Sequence, residues 1–249
     1  HFGDLEDPAD VGRRAGEKAA ARIGARRMPT AEVPVIFDPR VAGGLLGHLT
    51  GAITGPAIAR GTSFLKDRLG DQLFAADIEI VDDPHRKRGL RSKPFDAEGI
   101  ANSKRSIVKD GVLTTWLLDL ASAKQLGLET TGHAGRGTSG PPSPGPSNLY
   151  LTPGTLSPAE LMADIEAGLY ITSLMGMGVN GVTGDYSRGA SGFWIENGEI
   201  TFPVTELTIA GNLNQMFAGM SRANDLAFRF GTNSPTVRID GLIVAGGGE

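Results

Sequence analysis

The chain has 249 residues, of which 40% are hydrophobic and 21% charged, which suits one large domain or two small ones with a substantial core and argues against disorder. A formal charge of -4 implies no net attraction to nucleic acid or to an anionic membrane surface. The lack of cysteine excludes disulfide frameworks, thiolate nucleophiles and cysteine-type zinc sites, and suits a reducing compartment, so the cytoplasm is the expected location.

No run reaches the ~18 apolar residues of a membrane span, and the first residues lack the basic-then-apolar pattern of a signal peptide. The sequence starts at His1 rather than methionine, directly upstream of an amphipathic segment, so a domain upstream is expected. Residues 1–30 are read as a linker helix from it, and residues 31–249 as the main domain. Asp7-Pro8 starts that helix, because Asp caps free amides and Pro suits the first helical position. Val11, Ala15, Ala19 and Ile23 recur at helical spacing up to Gly24, and Arg13, Arg14 and Lys18 form a solvated basic face. Glu32 to Phe37 reads as a strand, with Pro34 pointing to an edge.

In Val41 to Pro56 the glycines Gly43, Gly47, Gly51 and Gly55 fall every fourth residue beside a stripe of Leu45, Leu49 and Ile53. As a helix this sets a glycine groove next to an apolar ridge, suited to close approach by another backbone and to burial. Lys109-Asp110-Gly111 and Glu196-Asn197-Gly198-Glu199 each divide two β-prone runs and predict hairpins, since both turns supply positive φ. Ser157-Pro158-Ala159-Glu160 is a capping box that starts a helix burying Leu161 and Ile165. Leu169 to Met175 reads as a strand and Asn212 to Met220 as a helix. Hairpins outnumber strand-helix alternations, so the fold class is α+β: a large, mostly antiparallel sheet with helices packed on it.

Gly132 to Pro146, rich in Gly, Pro and Ser, reads as a loop crossing the surface or lining a cleft, and Gly176 to Gly192 as a glycine-rich loop bridging strands. The second contains G-x-G-x-x-G at Gly176, Gly178 and Gly181, but Val179 to Gly184 is not the helix opening that a dinucleotide site requires. No H-E-x-x-H, G-x-S-x-G, Walker or kinase signature occurs. The histidines are His1, His48, His85 and His133, each isolated from the others. His48, among leucines and glycines, reads as a hydrogen-bonded core residue rather than a ligand. The basic run from His85 to Lys93 has no interleaved aromatics, so nucleic acid is not an expected partner.

The strings VIFDPRVAGGLLGHLTGAITG (Val35 to Gly55), PFDAEG (Pro94 to Gly99), TSGPPSPGPSNLYL (Thr138 to Leu151), GLYITSLMG (Gly168 to Gly176), VTGDYSRGASGFWIENGEI (Val182 to Ile200) and ELTIAGNL (Glu206 to Leu213) closely resemble the PmbA/TldE family. The resemblance covers nearly everything from Val33 onward and implies the C-terminal domain type of that family. It also implies a subunit working with a TldD-type protease on small peptides or peptide precursors. Older names call the family a modulator of DNA gyrase.

In TldD-type proteins an H-E-x-x-x-H element follows a pair of leucines. Laid after Leu45 and Leu46, its two histidines fall on Gly47 and Ala52 and its glutamate on His48, so the metal motif is degenerate. The resemblance therefore implies a subunit with no catalytic residues and no metal or other cofactor of its own, zinc or a similar metal being expected on the TldD-type partner. If peptide is contacted here, the candidates are His133, Arg136 and Ser139 on one loop and Asp185, Tyr186 and Arg188 on the other. The alternatives are a regulatory module of a DNA-processing enzyme, as the gyrase name suggests, and a stand-alone peptidase with an unrecognised site. A homodimer in isolation is a further assembly to test.

Overall fold

The computed structural model describes residues 2–247; His1, one of the four histidines above, lies outside the described residues. The chain opens with a 3-10 turn (Phe2–Asp4), α1 (Pro8–Ala20), β1 (Ala31–Phe37), α2 (Pro39–Ala52), α3 (Gly55–Ala59) and β2 (Ile80–Asp82). The middle holds β3 (Arg105–Lys109), β4 (Val112–Leu113), α4 (Leu120–Leu126), β5 (Ala134–Gly135), β6 (Ser143–Pro144), β7 (Leu149–Leu151) and α5 (Pro158–Met162). The last part holds β8 (Ala167–Val179), β9 (Asp185–Glu196), β10 (Glu199–Asn212), α6 (Leu213–Ala218), β11 (Met220–Arg222), β12 (Thr232–Asn233) and β13 (Val237–Gly246).

The larger sheet runs β1-β8-β9-β10-β13-β11, and β13 also pairs with β1. Five strands thus close into a ring, with β11 continuing along one side of β13. Within it only β1 and β8 are parallel; the other pairings are antiparallel. The second sheet runs β12-β7-β2-β3-β4. The α+β expectation with a mostly antiparallel sheet holds.

Helix α2 lies between the sheets, touching β1 and β8 of the ring and β7 and β12 of the second sheet. Leu45, Leu46 and Leu49 are buried there. At roughly 1.5–3 kcal/mol per buried leucine, three leucines outweigh the propensity cost of about 1 kcal/mol for each interior glycine. One continuous core, including Phe37, Leu49, Ile80, Trp116, Leu149 and Ile209, joins ring and second sheet.

Both predicted hairpins form. Asp110 and Gly111 have φ of 51° and 77°, and Asn197 and Gly198 of 50° and 79°. The capping box at Ser157 is present, with Glu160 accepting from the Ser157 amide at 2.7 Å, though its helix stops at Met162.

Four local readings change. Pro34 is not on an edge: β1 pairs on both sides, and Pro34 sits at the register shift between Val33 and Val35, where its missing N–H removes no ladder bond. The stripe on α1 stays uncovered, with Val11 46% and Ile23 80% exposed, while Arg13 pairs with Asp10 and Glu17. The groove on α2 receives no second backbone at Gly47 or Gly51, where a methyl group would meet no atom within 4 Å. Most of Gly176 to Gly192 is strand, because β8 and β9 extend through it to a turn at residues 180–184.

Candidate functional site

The unfilled glycines open a cleft. Asp38 caps α2 by accepting from the Arg40 amide at 3.0 Å, and it also accepts from the Tyr170 hydroxyl on β8 at 3.2 Å. Burial and the neighbouring Asp38 raise the pKa of that phenol far above its usual value. Helix and ring are thereby tied together, and past this junction Gly47, His48 and Gly51 face a cavity of about 410 Å³. Its other walls include Phe64, Met177 and Leu213. Phe64 is held to the β8–β9 turn by its amide donating to the Gly181 carbonyl at 2.9 Å.

Arg188 on β9 supplies a cation to this cleft. Its Nε donates to the Met175 carbonyl at 3.0 Å, and no carboxylate pairs with it among the described residues. His48 meets the Tyr186 ring edge-on, with centroids 5.7 Å apart. Burial, and secondarily Arg188, lower the His48 pKa from 6.5. His48 is therefore a half-buried, neutral side chain of the cleft rather than the hydrogen-bonded core histidine expected. Tyr186 is 2% exposed; its hydroxyl has no partner among the described residues, and burial pushes its pKa up to about 12.

Asp185 does not line the cavity. It accepts from the Thr183 hydroxyl at 2.6 Å and the Asn212 amide at 3.1 Å, which lowers its pKa, Thr183 acting first, and fixes the turn beside the cleft. The other candidate loop lies apart from this cluster. His133 is 4% exposed, with Nδ1 2.8 Å from the Thr131 hydroxyl and Nε2 3.4 Å from Asp82. Ser147 donates to the same Asp82 oxygen at 2.8 Å. Arg136 and Ser139 are exposed between β5 and β6. None of these three lines the cleft.

On the side away from β9, β8 pairs with β1 only from Leu169 to Ile171. Among the described residues no strand covers residues 172–179 on that side, and Gly176, Met177 and Val179 of this stretch line the cleft. Phe64, Met177 and Leu213 were missed in the sequence because three distant segments contribute them. Asn180-Gly181, a hairpin turn signal, was the one local clue that β8 and β9 meet there.

The residues on α2 do not fit a zinc centre. Gly47 and Ala52 have no donor atom, and the groups next to His48 are a phenol and the guanidinium of Arg188, which repels a metal cation. Among the described residues no three His, Cys, Asp or Glu side chains are grouped to hold a metal. No helix among them is long and apolar enough to cross a membrane.

Ring, intervening helix and cleft define an α+β domain with one shared core and a partly apolar cleft. The profile of the PmbA/TldA metallopeptidase C-terminal domain matches residues 30–246, and the chain belongs to that family. It is 43% identical over 244 residues to the metalloprotease PmbA of Escherichia coli O157:H7, covering 98% of this chain and 52% of the relative. A metalloprotease of Methanothermobacter thermautotrophicus is 34% identical over 212 residues, 84% of this chain and 46% of the relative. The chain thus spans about half the length of the relatives it matches. The crystal structure of TldE from Thermococcus kodakarensis is similar with a TM-score of 0.85 at 25% identity, covering 96% of this chain and 55% of that one. A Thermotoga maritima protein proposed by name to modulate DNA gyrase gives 0.87 at 34% identity, over 98% and 56%.

Proposed function

We propose that this chain is a TldE-like, non-catalytic subunit of a two-component metalloprotease, in which a TldD-type partner holds the metal and this domain shapes the wall around a peptide. The observation that supports it is the substitution of Gly47, His48 and Ala52 at the positions of an H-E-x-x-x-H element, on the helix that faces the cleft. With no donor atom at Gly47 or Ala52 and an imidazole where the carboxylate base would stand, these positions cannot activate a metal-bound water. The uncovered stretch of β8 beside the cleft suits backbone pairing with an extended peptide. On this reading Arg188 contacts peptide directly, Tyr186 and Asp185 hold its surroundings, and the loop of His133, Arg136 and Ser139 contributes outer contacts through its exposed members.

The test is peptide hydrolysis by this chain, by a TldD-type subunit and by their mixture, with metal content measured for each. Turnover that needs the mixture, with metal on the partner alone, is the expected result. Metal-dependent turnover by this chain alone would overturn the reading in favour of a stand-alone peptidase. A gyrase-directed module would instead bind gyrase without the partner. The same reading puts the complex in the cytoplasm and makes residues 1–30 a linker from an upstream domain. Size-exclusion chromatography with and without the partner distinguishes a heterodimer from a homodimer of this chain.

A further inference from the structure

Beside the degenerate position on α2 lies a cavity whose shape and charge say more about the peptide than the proposed role does. Its floor is built from residues without side chains, Gly47 and Gly51, and its walls from Phe64, Met177 and Leu213. At about 410 Å³ it falls within the roughly 300–1,000 Å³ of ordinary ligand sites. Among the described residues its one cation is Arg188, whose Nε is committed to the Met175 carbonyl and whose two Nη groups have no protein acceptor there. An unpaired guanidinium at an apolar, partly desolvated site favours an anion that presents two oxygens in one plane. The buried, unpartnered hydroxyl of Tyr186 belongs to the same cluster. A single cation amid apolar walls suits a carboxylate rather than a phosphate, whose higher charge calls for more donors.

We infer that this cleft is a binding site for the free C-terminal carboxylate of a peptide that ends in an apolar residue, with the carboxylate on Arg188 and the terminal side chain over the Gly47 and Gly51 floor. The uncovered stretch of β8 at Gly176 and Met177 borders the cavity, so a chain lying along that strand reaches Arg188 with its end. The inference rests on the peptide-wall reading above for the peptide and on the cleft itself for the carboxylate. It assigns this subunit the recognition of a chain terminus, which makes it selective for peptides over internal segments of folded proteins.

The probes are acetyl-Ala-Ala-Ala-Leu with a free carboxylate, the same peptide as its C-terminal amide, and octanoate, each titrated calorimetrically into this chain without a partner. The acid is expected to bind at least about tenfold more tightly than the amide, the usual size of one charge-assisted contact. Arg188→Gln should abolish that preference. Gly51→Leu should block binding of all three while leaving the melting temperature unchanged or higher, since nothing lies within 4 Å of a methyl group placed there. Equal binding of acid and amide, an acid preference that survives Arg188→Gln, or the absence of binding would overturn the site. Octanoate binding as tightly as the peptide would overturn the peptide assignment and point to a free fatty acid. Because binding is read on this chain alone, its failure leaves the hydrolysis experiment untouched, and failure of the mixture to gain activity leaves the titration untouched.

Discussion

His48 is the residue whose surroundings depart furthest from its sequence context. Burial first and the Arg188 charge second make the imidazolium unfavourable in the folded chain, so the unfolded chain binds more protons between the depressed folded pKa and 6.5. Stability therefore rises with pH through that window, so this contribution is complete above it, is lost as pH falls through it and changes no further below it. Urea midpoints measured from pH 7.5 down to 5.5 should show this decline, and His48→Gln should flatten it. An unchanged slope in the variant would mean that another group carries the dependence. Legibility at this scale was uneven: Gly47 and Ala52 are visible as non-ligands from residue type alone, but nothing in the string tells whether His48 faces core, cleft or solvent.

Among the elements, turns and caps were the most legible, because their causes lie within a few residues. Gly198 illustrates this. It has φ of 79°, and a methyl group there would stand 3.0 Å from the Ala163 carbonyl. Gly198→Ala should cost about 1–2 kcal/mol, the ordinary price of left-handed backbone for an L-residue, read as a lowered urea midpoint with an unchanged slope. An unaltered midpoint would show that the turn relaxes freely. Strand lengths were less legible. The run of glycines from Gly176 to Gly192 has weak intrinsic β propensity, and it is strand because β9 is paired on both sides, by β8 and β10. Pro34 misled for the same kind of reason, since a bulge created by a distant partner strand absorbs its missing donor.

At the level of the whole molecule, ring and second sheet share one apolar core through α2, which predicts that they unfold together. The chain's two tryptophans report on the two halves: Trp194 lies on β9 of the ring, and Trp116 follows β4 of the second sheet, both buried. Single-tryptophan variants, Trp116→Phe and Trp194→Phe, should therefore give coincident urea transitions by fluorescence. Two separated midpoints would instead show that α2 does not couple the sheets. The same placement of α2 puts the degenerate motif at a cleft.

The sequence by itself determined the helix starts, the two hairpins, the α+β class and the absence of metal donors at Gly47 and Ala52, because each depends on residue type or on neighbours a few positions away. Only the tertiary structure decided that β13 returns to β1 to close a ring, that β8 keeps an uncovered stretch beside α2, and that Arg188 stands unpaired near His48 and Tyr186. Those features come from pairings between segments more than a hundred residues apart, where the free energy resides in burial and strand partnering that no local pattern encodes.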